Sequence, residues 1–182
     1  TMLGIVDPEL SLLVQRYLER RGVKIYTGHA AARFEEDNGR VKSVVLDDGR
    51  VIPCDFAILA AGVRPNVDLA RASGLELGET GAVKVDDYLQ TSDESIWAIG
   101  DCAEKSHVIT GQPAWIPMGS TAVKEGRVAA INICGGQETF PGVVGSTVIK
   151  IFDYTVARTG FDEHQARENG FDPVSALVPS LD

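Results

Sequence analysis

Residues 91–101, with the sequence TSDESIWAIGD, carry the clearest potential for ligand chemistry in this chain. The apolar run 96–99 is too short for a helix and predicts a buried strand. In open α/β sheets, ligands bind at the carboxyl ends of the strands, and Gly100 and Asp101 fall at such an end. Glycine lets the backbone approach a bulky group, and the aspartate offers two acceptors for hydroxyl groups. The structural alternative is a strand that ends in a turn, because Gly-Asp is common turn chemistry.

Other side chains with chemical potential have less support from their surroundings. Cys102 follows Asp101, but the sequence has no Cys-x-x-Cys pair, so we do not expect a redox role for this thiol. Arg64 lies in a loop after an apolar run, where a guanidinium could meet phosphate or carboxylate or simply stay solvated. The sequence contains neither Gly-x-Ser-x-Gly nor Gly-x-Gly-x-x-Gly, and its histidines have no metal-ligand spacing. We therefore assign no catalytic residue and no metal ligand within the chain.

Composition and charge argue against two classes of partner. The chain has 182 residues, enough for one or two domains, and a formal net charge of −9 at pH 7. This charge argues against nucleic acid and against anionic membrane surfaces as ligands. No apolar stretch approaches the length of a membrane span, and no signal peptide is expected before the first element. The cysteines form no disulfide framework, which favours a reducing compartment, and we expect a cytoplasmic protein.

The first part of the chain predicts a helix, a meander and a buried strand. Asp7 and Pro8 predict the start of the helix and Gly22 its end, followed by a strand over 23–26. Asx-Gly turns then predict three antiparallel strands: 30–34, 41–46 and 51 onward, joined at Asn38-Gly39 and Asp48-Gly49. The run 56–60 is apolar throughout and predicts a strand buried on both faces.

The rest of the chain predicts short helices and strands around one longer helix. That helix covers 119–133 and ends at Gly135. Small residues line one side of it: Gly119, Ala122, Gly126, Ala129 and Ala130. This stripe permits close approach of a flat ligand or of a neighbouring element, and packing is the simpler explanation. The remaining predicted elements are helices over 67–72 and 162–169 and strands over 82–85, 96–99, 146–152, 154–159 and 174–178.

Several motifs together resemble one family. They are 60–66 (AAGVRPN), 91–101, 115–122 (WIPMGSTA), 126–130 (GRVAA) and 148–157 (VIKIFDYTVA). The first two resemble the loop that leaves the NAD(P) domain, and the second FAD motif, of FAD-dependent pyridine nucleotide-disulfide oxidoreductases. The others are similar to the coenzyme A-disulfide reductase and NADH oxidase branch of that family.

The resemblance implies an α/β fold built from partial FAD- and NAD(P)-binding Rossmann-like domains with a small antiparallel β-meander, plus the start of an α+β dimerisation domain. Residues 1–62 would be the C-terminal half of the NAD(P)-binding domain, 63–140 the C-terminal half of the FAD-binding domain, and 141–182 the beginning of the interface domain. The family's first FAD glycine loop, its redox cysteine and its NAD(P) glycine loop have no counterpart here. We therefore expect a fragment that binds FAD weakly and has little activity alone.

By position, the resemblance also implies cofactor contacts. Asp101 would bind a ribityl hydroxyl of FAD, with Gly100 allowing close packing. Three residues at a helix N-terminus would face the flavin ring: Met118, Gly119 and Ser120. A helix N-terminus favours negative charge, such as that on reduced flavin. Gly62 would approach NAD(P)H, and Cys102 would not be the redox cysteine.

The implied activity is hydride transfer from NAD(P)H to FAD, followed by electron delivery to a disulfide of the coenzyme A type or to oxygen. The implied assembly is a homodimer. Two alternatives stay open at this point. One is an NAD(P)H-dependent reductase of a small ferredoxin- or rubredoxin-type protein, and the other is a non-catalytic α/β module that contacts a partner through open sheet edges.

Overall fold

The chain forms two compact units in a computed structural model that describes residues 2–179. The first unit is Thr1–Val63 and the second is Arg64–Asp182. The assignment of 1–62, 63–140 and 141–182 to three family domains stays a prediction. Among the described residues, no helix is long and apolar enough to cross a membrane.

The first unit begins with helix α1, Pro8–Arg20. Asp7 occupies the N-cap position and a proline the first helical position, as predicted. At the other end the Val23 N–H donates to the Leu18 carbonyl at 3.1 Å, which closes a Schellman motif. Gly22 has a φ of 85°, the left-handed conformation that this motif requires. Both predicted ends of the helix are confirmed.

The meander of the first unit is an antiparallel sheet with the order β1-β2-β3. Its strands are β1 Ala31–Asp37, β2 Arg40–Leu46 and β3 Val51–Pro53. Asn38 and Gly39, between β1 and β2, have φ values of 52° and 75°. Two successive left-handed residues are the geometry of a type I′ hairpin, so the turn chemistry in the sequence predicts this turn correctly.

Two strand predictions in the first unit are wrong. Residues 23–26 and 56–60 are extended but belong to no strand. In the second range Phe56, Ile58 and Leu59 are 73%, 82% and 77% exposed, not buried. An apolar run is buried only when neighbouring elements cover both of its faces, and no described strand pairs with this segment.

The second unit contains the remaining elements. They are helix α2 Asp68–Ala72, a 3₁₀ turn Gly100–Cys102, strands β4 Lys105–Ser106 and β5 Pro113–Ala114, helix α3 Gly119–Ile133, strands β6 Thr147–Ile151 and β7 Tyr154–Arg158, and helix α4 Glu163–Glu168. Strand β4 pairs with β5, and β6 pairs with β7, both antiparallel. The predicted long helix and the predicted hairpin after it are confirmed. The described elements are thus mixed α and β, as expected, with antiparallel sheets.

Two small apolar clusters form the core of the second unit. The first consists of Val67, Val83, Ala98 and Ala103. The second consists of Leu89, Val128 and Ala129, and it attaches α3 to the preceding loops. The core therefore lies where the extended segments before the 3₁₀ turn meet α3.

The strand predictions over 82–85, 96–99 and 174–178 are wrong. Pairing in the first two ranges is limited to isolated bridges: Leu77–Val83, Val83–Ala103 and Gln90–Trp97. The range 96–99 is only half-buried, because Ile96 and Ile99 remain exposed while Ala98 enters the core. Single bridges do not make a ladder, so 82–85 and 96–99 are connections that precede the 3₁₀ turn, and 174–178 belongs to no strand.

Candidate functional site

The candidate site is centred on the 3₁₀ turn at Gly100 and Asp101. Ile99 is still extended, with a φ of −141° and a ψ of 165°, and Gly100 then reverses the chain with a φ of 73°. A residue with a Cβ would be strained in that conformation, so glycine is required by the backbone itself. Asp101 is exposed, and its carboxylate makes no hydrogen bond or ion pair with any residue in the described range 2–179. Its oxygens are therefore available to an external donor.

A buried ion pair fixes the backbone of this turn. The Gly100 N–H donates to Glu125 Oε2 at 2.6 Å. Lys105 Nζ donates to the carbonyl oxygens of Gly100 and Ala103 at 2.6 and 2.8 Å. Lys105 Nζ lies 3.4 Å from Glu125 Oε1, and the two side chains are 1% and 0% exposed. The N–H and the carbonyl of Gly100 thus bind two buried side chains of opposite charge. Two charges can be buried together when they are paired with each other and hydrogen-bonded.

Helix α3 packs closely against the turn through its small residues. A Cβ added at Gly100 would lie 3.5 Å from Ala122 Cβ, and one added at Gly126 would lie 3.5 Å from Ile99 Cδ1. Ala129 on the same side enters the second apolar cluster. The small-residue stripe of the sequence is therefore explained in this stretch by packing of the helix on the turn.

The start of α3 lies beside Asp101. Met118 is the N-cap, with an extended backbone, and its carbonyl accepts the N–H groups of Thr121 and Ala122 at 3.0 Å. Gly119 and Ser120 precede those two residues and are exposed, so their N–H groups form the open positive end of a helix of 15 residues.

Trp115 ties the approach to α3 to the 3₁₀ turn, because its Nε1 donates to the Asp101 carbonyl at 2.7 Å. The structure therefore brings together the residues that the sequence assigned to FAD in the second unit: Gly100, Asp101, Met118, Gly119 and Ser120.

A groove of about 490 Å³ runs along the first half of α3. Met118, Ser120, Lys124 and Arg127 line its helix side, and the loop 138–146 lines the opposite side. Asp101 is not part of the lining. The site thus offers one carboxylate without a partner among residues 2–179 and one concave surface with cationic side chains.

The remaining candidates are Gly62, Arg64 and Cys102. Gly62 belongs to the first unit and has a φ of 95°, and its role towards NAD(P)H stays a prediction. Arg64 lines a shallow pocket with residues 65–68 and Arg71. Cys102 is a free, half-buried thiol whose Sγ donates to the Ile99 carbonyl at 3.3 Å. This hydrogen bond gives Cys102 a structural role in the turn. It involves no second cysteine.

Sequence reasoning missed the two side chains that hold the turn. Glu125 could have been found, because it lies three positions after Ala122 and four before Ala129. This spacing places its carboxylate on the small-residue side of the helix, at a packed interface. Lys105 gave no signal, since a lysine in a short polar segment looks solvated. The same holds for the Trp115 indole, whose partner is a backbone carbonyl.

Comparison with known proteins adds the family. The sequence profile described as pyridine nucleotide-disulphide oxidoreductase matches residues 1–126. The chain is 43% identical over 172 residues to the NAD(P)H sulfur oxidoreductase (CoA-dependent) of Pyrococcus abyssi, covering 94% of this chain and 38% of that protein. It is 38% identical over 162 residues to an NADH oxidase of Methanocaldococcus jannaschii, covering 88% of this chain and 35% of that protein.

A solved structure gives the same picture at the level of the fold. The NAD-dependent persulfide reductase from A. fulgidus matches with a TM-score of 0.89 and 40% identity, covering 93% of this chain and 31% of that chain. The chain thus spans little more than a third of the length of the curated relatives that it matches, and it has part of the fold of a flavin oxidoreductase. The resemblance seen in the sequence motifs is confirmed: the chain belongs to the pyridine nucleotide-disulphide oxidoreductase family.

Proposed function

We propose that this chain is part of an FAD-dependent enzyme that passes a hydride from NAD(P)H through FAD to a sulfur acceptor, a persulfide or disulfide of the coenzyme A type. The observation that carries the proposal is the Asp101 carboxylate, which has no partner among residues 2–179 and lies in a turn that packs against the first turn of α3. Hydroxyl recognition and stabilisation of negative charge are the two things that a flavin nucleotide needs from such a site.

The residues present fit the cofactor in a specific way. The Gly100 N–H is occupied by Glu125, so the Asp101 carboxylate is the group that we expect this turn to offer the ribityl chain. Bound FAD would supply the hydride-accepting chemistry, and the protein groups bind and orient it. The positive end of α3 at Met118, Gly119 and Ser120 favours negative charge on whatever part of the cofactor lies against it.

The sulfur acceptor is favoured over oxygen by the relatives. The protein from P. abyssi is named a CoA-dependent sulfur oxidoreductase and the structure from A. fulgidus a persulfide reductase, whereas the relative from M. jannaschii is named an NADH oxidase. Oxygen is therefore the second candidate acceptor. We also carry the homodimer into this proposal, with residues 141–182 as its contribution to the interface.

Flavin binding by the 182-residue chain tests the proposal. FAD fluorescence is titrated against the unchanged chain, Asp101→Ala and Glu94→Ala. Glu94 is a suitable control because it is exposed in the same run and its side chain makes no recorded contact among the described residues. We expect weak binding by the unchanged chain, unchanged binding in the Glu94 variant and a clear loss in the Asp101 variant. Equal affinities of all three proteins would refute the assignment of Asp101.

The acceptor is tested separately. Because little activity is expected of the 182-residue chain alone, the test uses the longer enzyme of which we propose that it is part. That enzyme, with FAD and NADH, is supplied with coenzyme A disulfide, with a coenzyme A persulfide or with air alone, and NADH oxidation is followed. Acceleration by the sulfur compounds under anaerobic conditions supports the proposal. Oxidation that needs air and ignores the sulfur compounds would support the oxygen candidate instead.

A further inference from the structure

The first unit carries a group of three side chains that the flavin chemistry does not use. His29 precedes β1, and Asp47 and Asp48 form the turn between β2 and β3. His29 Nδ1 lies 3.2 Å from Asp47 Oδ1 and 3.5 Å from Asp48 Oδ2. The three potential ligand atoms all lie within 4.8 Å of one another, and the side chains are open to solvent. One nitrogen and two oxygens thus face a common point that an external ion can reach.

The surrounding structure orients each carboxylate in this group. Asp47 Oδ2 accepts the Ala30 N–H at 3.2 Å, and Asp48 Oδ1 accepts the Arg50 N–H at 3.0 Å. These bonds use one oxygen of each carboxylate. The other oxygens, Asp47 Oδ1 and Asp48 Oδ2, are the ones that lie near His29 Nδ1, and Asp48 Oδ2 also pairs with the Arg50 guanidinium. The Asp47 N–H also donates to the Ala30 carbonyl at 3.0 Å, which fixes the backbone beside His29 to the turn.

Charge in the group favours a cation. The two carboxylates bring two negative charges to the group, and the Arg50 guanidinium, which lies 3.2 Å from Asp48 Oδ2, brings one positive charge. The Arg50 guanidinium is also stacked over the Tyr26 ring at 5.1 Å, which keeps it to one side of the group.

We propose that His29, Asp47 and Asp48 form a binding site for a zinc-class divalent cation on the first unit. In tetrahedral coordination at the usual zinc–nitrogen and zinc–oxygen distances, ligand atoms lie about 3.3 Å apart, which matches both separations from His29 Nδ1. Imidazole with carboxylates suits zinc and its neighbours, whereas magnesium and calcium prefer all-oxygen sites. Water would complete the coordination. The rival explanation for the same distances is a protonated imidazole that donates to the carboxylates.

Calorimetric titration of the 182-residue chain with zinc chloride in a non-chelating buffer distinguishes the two. We expect one site whose affinity falls by at least about tenfold in His29→Ala and in Asp47→Asn, since loss even of an outer-shell partner costs 10–100-fold. The Asp47→Asn change keeps the shape of the side chain and an acceptor for the Ala30 N–H. Circular dichroism without zinc checks that both variants remain folded.

Two control variants keep the result specific. His164 lies 3.2 Å from Glu168 only, so His164→Ala removes a histidine–carboxylate pair that lacks a third ligand. Cys134→Ser removes the exposed thiol. Both are expected to bind zinc like the unchanged chain. The proposal is overturned if the unchanged chain binds no zinc at micromolar concentration, or if a control variant and not His29→Ala loses the site.

Discussion

The buried pair of Lys105 and Glu125 makes a quantitative prediction about the turn that carries Asp101. Replacing Glu125 by leucine leaves the Lys105 ammonium buried without a counter-charge and removes the acceptor of the Gly100 N–H. Breaking a buried pair from one side costs about 3–5 kcal/mol, because the remaining charge has no compensation. Lys105→Met strands the Glu125 carboxylate in the same way and has an expected cost in the same range.

The double variant Lys105→Met/Glu125→Leu gives the coupling energy between the two side chains, apart from what each contributes alone. With both charges gone, the remaining cost is that of the unpaired Gly100 N–H and Ala103 carbonyl, about 1–3 kcal/mol for each group that stays buried. The Gly100 carbonyl still accepts the Ala103 N–H at 3.2 Å. We therefore expect the double variant to be no less stable than either single variant. The coupling energy would then be roughly 3 kcal/mol, at the upper end of values for residues in contact.

Tryptophan fluorescence during urea unfolding measures the loss of stability in the second unit, which contains both Lys105 and Glu125. The chain has two tryptophans, Trp97 and Trp115, and both lie in the second unit. Arg127→Ala is the matched control on the same helix, because Arg127 pairs with Glu138 at 3.8 Å with side chains 76% and 40% exposed. Exposed pairs of this kind contribute about 0–1 kcal/mol. The reasoning is refuted if the two single variants cost under about 1 kcal/mol each and simply add.

Three further predictions concern other parts of the chain. Gly142→Ala should destabilise the second unit by about 1–3 kcal/mol in the same urea assay, since Gly142 has a φ of 96° and an added Cβ would overlap the Ser106 carbonyl oxygen; an unchanged midpoint would contradict this. Asp162→Ala removes the capping box of α4 and should cost about 0.5–2 kcal/mol, with Glu168→Ala as a control outside the cap. The Ser43 hydroxyl lowers the pKa of Glu35, so its contribution to stability is complete above the ordinary glutamate value of 4.5 and is lost as pH falls through the lowered value. Ser43→Ala should therefore flatten the acid limb of a stability–pH profile followed by circular dichroism.

Local signals in the sequence predict where helices and turns lie more accurately than apolar runs predict which segments are buried. Gly22 and Gly135 predict the helix ends correctly, because a left-handed residue after a helix satisfies its last carbonyls within a few positions. Asn38 and Gly39 predict their hairpin for the same local reason. The runs 56–60 and 96–99 mislead, because their apolarity encodes a preference for burial that only neighbouring strands could satisfy. The candidate site follows the same division. Glycine and aspartate at the turn are visible in the sequence, whereas the Lys105–Glu125 pair depends on long-range packing.

The exposed run 56–60 has a consequence for the protein in solution. Its five apolar residues carry no charge, and Phe56, Ile58 and Leu59 present their side chains to water. An exposed, uncharged apolar segment that belongs to no described strand is a place where a second chain can add a strand. Concentrated protein should therefore self-associate through this segment, and Ile58→Lys should suppress that association because a charge on an open strand edge opposes edge-to-edge pairing.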